Sequence, residues 1–265
     1  MTRLADMSWR DVEDYLERSR GLIVPVGTCE QHGAHLPLST DTLIAEAFAE
    51  ALSDATAVAV APTLAYGVNL PCDDFVPGTA GFSFDALRDS IASLLGDWER
   101  QGFRQFFILT THGCAMDGYS FAHHEALKQG ALPFLEDSPG TGPCGAPGED
   151  PTTVSILFPY WTGIGDLLTG QDGVEHAGEA ETSLMLHLHP RLVRMDVAAD
   201  GPPEGEETRF DAYPEGVAKA PPSPGWSGAE GAPTAATAEK GRLIFERCLN
   251  PLLRHVSYRV GTNRS

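Results

Sequence analysis

Between residues 29 and 41 the chain sets Glu30, His32, His35 and Asp41 into a polar, turn-rich stretch, CEQHGAHLPLSTD. Neutral imidazoles and carboxylates are ligands for zinc, manganese or iron. A carboxylate can also bridge two ions through its two oxygens, and paired ions about 3.5–4 Å apart are a common hydrolytic arrangement. A second polar cluster, THGCAMDG, carries His112, with Gly113 free to turn the backbone tightly. Each residue has a plainer reading. Asp41 stands where a helix begins and could cap it, and Glu30 and His32 could be solvated loop residues. Four ligand-type side chains after one apolar run and a histidine after another favour a metal site over surface chemistry.

The elements that must position these residues alternate. Leu22–Gly27 reads as a strand, followed by a helix from Thr42 to about Leu52, a strand at Ala57–Pro62 and a helix at Phe84–Gln101. Gln105–Thr111 is a third strand, followed by helices at Tyr119–Gln129, Glu179–His189 and Thr234–Arg254. This rhythm predicts an α/β fold, a layered and mostly parallel sheet flanked by helices. In such a sheet ligands bind at the carboxyl ends of strands, where both polar clusters fall. The expectation is one domain over 1–265, with Gly/Pro-rich insertions near 137–152 and 199–231 that read as surface insertions rather than lids.

Composition narrows the function. Of 265 residues, 42% are hydrophobic and 21% charged, ordinary values for a soluble globular chain. A net charge of -19 disfavours nucleic acid and anionic membrane surfaces as partners, because little basic surface is available to meet phosphates. No apolar run approaches the ~20 residues of a membrane span, and MTRLADMSWRDVEDYL reads as a short amphipathic helix rather than a signal peptide. Five cysteines without a CxxC pair imply neither a disulfide framework nor a zinc knuckle, so a cytoplasmic setting is expected.

VPVGTCEQHGAHLPLSTD resembles the creatininase (creatinine amidohydrolase) family motif, in which a strand runs into Glu-x-His and an Asp follows nine residues after that His. Glu30, His32 and Asp41 keep the spacing. Further likenesses are Pro77-Gly78-Thr79, His112-Gly113 after a strand, HAGEAETS at His176–Ser183 and GAPTAATAEKG at Gly231–Gly241, so the resemblance spans nearly the whole chain. It implies a layered α/β fold, two divalent ions (zinc or manganese, with iron as an alternative) and a homo-oligomer, usually a hexamer. By that resemblance Glu30 and His112 help hold one ion, His32 the other, and Asp41 bridges them. Creatininase has a Glu two positions after the second-cluster His; here Cys114 stands there, and Glu181 is inferred to supply the carboxylate. His176 matches the family's active-site His, suited to protonating a leaving nitrogen.

Departures mark the pocket. Asn-Gly-His-Gly-Gly-Asn becomes Thr110-Thr111-His112-Gly113-Cys114-Ala115, and NLPCDDFV carries Asp73-Asp74 where many members have a His. A substrate other than creatinine is implied. The leading expectation is a metal-dependent amidohydrolase cleaving an amide, cyclic amide or formamide of a small molecule. The alternatives are a dehydratase or cyclase using the same centre as a base, a thiol enzyme pairing Cys114 with His112, and a scaffold without chemistry. Retention of Glu30, His32, Asp41, His112 and Glu181 counts against the scaffold.

Overall fold

The computed structural model describes residues 1–69, 76–112, 121–134, 151–201 and 226–261. Four parallel strands form one sheet in the order β2-β1-β3-β4, where β1 is Gly21–Val26, β2 Ala59–Val60, β3 Gln105–Thr110 and β4 Thr153–Leu157. The central pair, β1 and β3, is in register from Gly21↔Gln105 to Val26↔Thr110, and every residue of both strands is buried. Burial on both faces is what continuous apolar runs such as LIVPV and QFFILT require.

Successive side chains on each strand point to opposite faces. Ile23, Phe107 and Leu109 join one apolar layer with α2 (Thr40–Thr56), α5 (Glu179–Leu188) and α6 (Ala238–Gly261). Leu22, Val24, Val26, Phe106 and Ile108 join the other with α1 (Trp9–Leu16), α3 (Phe84–Gln101) and α4 (Phe121–Ala131). Helices thus cover both faces. Pro25 sits in a central strand without a ladder cost, because β2 has already ended and only its carbonyl is used, accepting from Leu64 N–H at 3.0 Å.

The order 2-1-3-4 has a topological switch point. From β1 the chain crosses to β2 on one side, and from β3 it crosses to β4 on the other, a strand order that places a ligand crevice at the carboxyl ends of β1 and β3. Gly27 brings the first wall close. A Cβ there would lie 2.2 Å from Thr42 Oγ1 and 2.5 Å from Thr42 Cα, so only glycine lets the end of β1 abut the first turn of α2. Thr42 Oγ1–H then donates to Thr28 O at 3.0 Å, which fixes the join.

Expected and observed elements agree in kind and differ at edges. The strand read over 57–62 contracts to Ala59–Val60, because Ala57 is the left-handed residue (φ +59°) that ends α2. The fourth strand, Thr153–Leu157, has no counterpart in the sequence reading. The described part of α4 is Phe121–Ala131, and the last helix runs over Ala238–Gly261, preceded by a 3-10 turn at Pro233–Ala235. Most of the two Gly/Pro-rich insertions, as well as Asp73, Asp74, Gly113 and Cys114, lies outside the described residues. Among the described residues no helix is long and apolar enough to cross a membrane.

Candidate metal centre

The first ligand segment leaves β1 at Gly27. Glu30, His32 and Asp41 are all buried, at 0%, 1% and 0% exposure. Asp41 is not the cap of α2: Ser39 holds that position, and Asp41 lies inside the first turn with its carboxylate turned to the crevice. Its Oδ2 accepts from Thr28 Oγ1–H at 2.6 Å and lies 3.0 Å from His112 Nδ1. Thr111 Oγ1–H donates to Asp41 O at 2.8 Å, so the end of β3 grips the same residue through its backbone.

His32 is oriented by its own loop. Its Nδ1 lies 3.1 Å from Glu30 O, a hydrogen bond that puts the proton on Nδ1. Nε2 faces Asp41 Oδ1 and Glu181 Oε2, each 3.8 Å away. A backbone acceptor on the second ring nitrogen is a common way to orient a metal-binding imidazole. Glu181 enters from α5; its Oε2 accepts from Ala177 N–H at 2.7 Å. Ala177 makes that bond from φ +52°, a left-handed conformation uncommon outside glycine. The turn is held at its far end by the buried Glu179 carboxylate, which accepts from Thr169 N–H, Gly170 N–H and the Lys240 ammonium.

These side chains form two three-ligand groups that share one residue: Glu30, Asp41 and His112, and His32, Asp41 and Glu181. His112 Nδ1 is 3.2 Å from Glu30 Oε2. Donor atoms around a four-coordinate divalent ion with bonds near 2.1 Å stand about 3.4 Å apart, and the separations of 3.0, 3.2, 3.8 and 3.8 Å straddle that value. Apart from the nearby ring nitrogens of His112 and His32, both Glu30 oxygens and Asp41 Oδ1 are buried without a hydrogen-bond partner among the described residues. Buried carboxylate oxygens are rarely left so, and an ion is the partner that such a donor set fits.

Electrostatics show the same need for positive charge. Burial penalises an imidazolium at His32, yet Asp41, Glu181 and Glu30 outweigh it and raise its pKa to about 10. His112 is likewise penalised by burial and driven well above the usual histidine range by Glu30 and Asp41. Burial works against ionised Asp41, but His32 and His112 hold it well below the usual carboxylate range. Glu181 is pushed up to about 7, by burial first, with Asp41 and Glu30 adding to it. Protons thus take the place that divalent ions would take.

His176 stands at the rim. It is half-buried, its ring centroid 4.5 Å from that of His32, and its Nε2 lies 2.7 Å from the Gln31 carbonyl oxygen. Glu30, His32 and His176 also approach one another closely enough to form a third group. His35, of ligand type in the sequence, is outside all three groups: its Nε2 contacts Thr182 Oγ1 at 2.9 Å and braces the loop against α5. Thr28 and His123, absent from the sequence reading, both belong to the site's surroundings. His123 is buried in α4, its ring centroid 4.9 Å from that of His112.

A cluster of buried carboxylates and imidazoles at the switch point of a parallel sheet is the arrangement of a metal centre in an α/β enzyme. The particular family is shown by comparison: the family model for creatininase, creatinine amidohydrolase, matches residues 5–256, and the chain belongs to that family. The chain is 27% identical over 262 residues to creatinine amidohydrolase of Pseudomonas putida, covering 93% of this chain and 92% of that protein. It is 29% identical over 252 residues to a mycofactocin precursor peptide peptidase of Mycobacterium tuberculosis, covering 90% and 85%. A solved creatininase structure described with Mn superposes with a TM-score of 0.76 at 24% identity over 98% of both chains, which confirms the fold. The chain is a metal-dependent hydrolase of the creatininase family.

Proposed function

We propose that the chain cleaves an amide, cyclic amide or formamide bond of a small molecule, with two divalent ions held in one buried site. The observation that carries this reading is the pair of three-ligand groups joined at Asp41. Glu30, Asp41 and His112 would hold one ion and His32, Asp41 and Glu181 the other, zinc and manganese being the metals that suit this nitrogen and oxygen set. Such ions supply Lewis acidity toward a carbonyl oxygen and a water nucleophile at neutral pH.

The chain's own residues do the rest. Thr28 fixes which Asp41 oxygen faces His112, and Ala177 N–H fixes Glu181. The Glu30 carbonyl locks the His32 tautomer. His176, near the ligands yet partly open, is placed to hand a proton to the departing nitrogen, and the Gln31 carbonyl keeps its Nε2 oriented. The relatives named for creatinine and for a precursor peptide support C–N hydrolysis over water elimination.

Elemental analysis of variants tests the assignment. Asp41→Ala should lose both ions, His32→Ala one preferentially, and Glu181→Ala metal together with activity. Full metal content in Asp41→Ala would remove the shared-ligand role.

A further inference from the structure

We propose that His123 is a positioning residue that ties together the two chain segments supplying the ligands, and so sets the affinity of the position formed by Glu30, Asp41 and His112. The inference rests on reading the site as a metal centre. His123 lies on the buried face of α4 and is 1% exposed. Val68 N–H donates to His123 Nδ1 at 3.2 Å, which requires a lone pair there and leaves the ring proton on Nε2. That Nε2–H donates to Thr110 Oγ1 at 3.1 Å, and the same hydroxyl oxygen lies 3.4 Å from His112 N–H. The ring edge also stands against His112 itself, at an interplanar angle of 76°. One imidazole therefore contacts the end of β3 twice, through Thr110 and through His112.

Its other side reaches the β1 segment. A Cβ on Gly67 would lie 2.7 Å from His123 Nδ1 and Cε1 and 2.8 Å from Thr28 Cγ2, so the bare backbone of Gly67 is wedged between the two residues. Thr28 is the residue whose hydroxyl holds Asp41. Farther along, Asn69 Nδ2–H donates to Cys29 O at 3.1 Å, and Phe82 N–H to Gly67 O at 2.7 Å. Ala80 N–H donates to Cys29 O at 2.9 Å, and Gln31 N–H to Thr79 Oγ1 at 2.9 Å. Asn69, next to the residues that His123 anchors, thus clasps the backbone beside Glu30 together with Thr79 and Ala80. A leucine of similar size would fill the space but leave Val68 N–H and Thr110 without their partner.

The test compares His123→Leu, His123→Gln and Thr110→Val with the parent protein, measuring Zn²⁺ and Mn²⁺ affinity by competition with a chelator. Residues that orient metal ligands typically account for 10–100-fold in affinity. His123→Leu and Thr110→Val should weaken one of the two ions by a factor in that range and leave the other within a few-fold. His123→Gln, which keeps an acceptor and a donor, should recover most of the loss. Unchanged affinities in His123→Leu would reduce the residue to core filling, and a Gln variant as weak as Leu would refute the hydrogen-bonding role. Should His123→Leu fail to fold, a parent-like affinity in Thr110→Val would overturn the proposal. A parent protein that binds no ion defeats the metal-centre reading itself, a result distinct from any of these.

Discussion

Loading the centre with metal should release about two to three protons near pH 7. Without metal, His32 is raised to about 10 and His112 stands well above the usual histidine range, so both rings are cationic at neutrality. Coordination needs a lone pair on each, which displaces about one proton per ring. Glu181, pushed up to about 7, adds roughly half a proton at pH 7, whereas Glu30 and Asp41 are already ionised and add none. Chelator-treated protein should be titrated with Zn²⁺ or Mn²⁺ in buffers of different ionisation enthalpy. The slope of observed heat against buffer enthalpy counts the protons. The combined affinity for both ions should climb by at least about one order of magnitude per pH unit between pH 8 and 9, where Glu181 is ionised and the His32 ring is still protonated. Release of less than one proton, or an affinity flat in pH, would refute the charge-compensation argument. The metal-free protein carries a related signature. Raised imidazole pKa values contribute stability that is present below about pH 6.5 and lost as pH rises toward 10. Lowered Glu30 and Asp41 values contribute stability that is present above about pH 4.5 and lost on acidification.

Three further outcomes are expected. His176→Ala should keep both ions and bind substrate while turnover falls by about 10²–10⁴-fold, and near-normal turnover by the metal-loaded variant would rule out the acid role; loss of an ion would instead make it a ligand. Gly27→Ala, whose Cβ would fall 2.2 Å from Thr42 Oγ1, should cost about 1–3 kcal/mol in denaturant unfolding of the metal-free protein, and a neutral result would deny the close approach of β1 and α2. Light scattering at micromolar concentration should give an oligomer, a hexamer being favoured, and a monomer would contradict it.

The sheet was legible because alternating apolar strands and 3.6-periodic helices leave strong local patterns, as Gln105–Thr110 and Phe84–Gln101 show. β4 was not. Its five residues, TVSIL, follow a Gly/Pro run and among the described residues pair with β3 alone, so neither length nor alternation marks them. The ligand types of the site could be read because Glu30, His32 and Asp41 crowd one loop, but spacing alone could not separate His35, which turns to α5 instead. His123 was hidden by its helix. FAHHEALK reads as an ordinary amphipathic segment, yet His123 lies three and four residues before the buried Ala126 and Leu127, and a histidine on that apolar face was the signal available. Thr28 is one hydroxyl among many, and its bond to Asp41 spans 13 residues that only the fold brings together.

The central claim is that two ions share Asp41. The direct measurement is anomalous scattering from crystals of the protein loaded with Mn²⁺ or Zn²⁺, collected on both sides of the metal's absorption edge. The account predicts two peaks, one beside Glu30 and His112 and the other beside His32 and Glu181, with one Asp41 oxygen directed at each. A single peak, or two peaks of which one lies out of reach of Asp41, would contradict it.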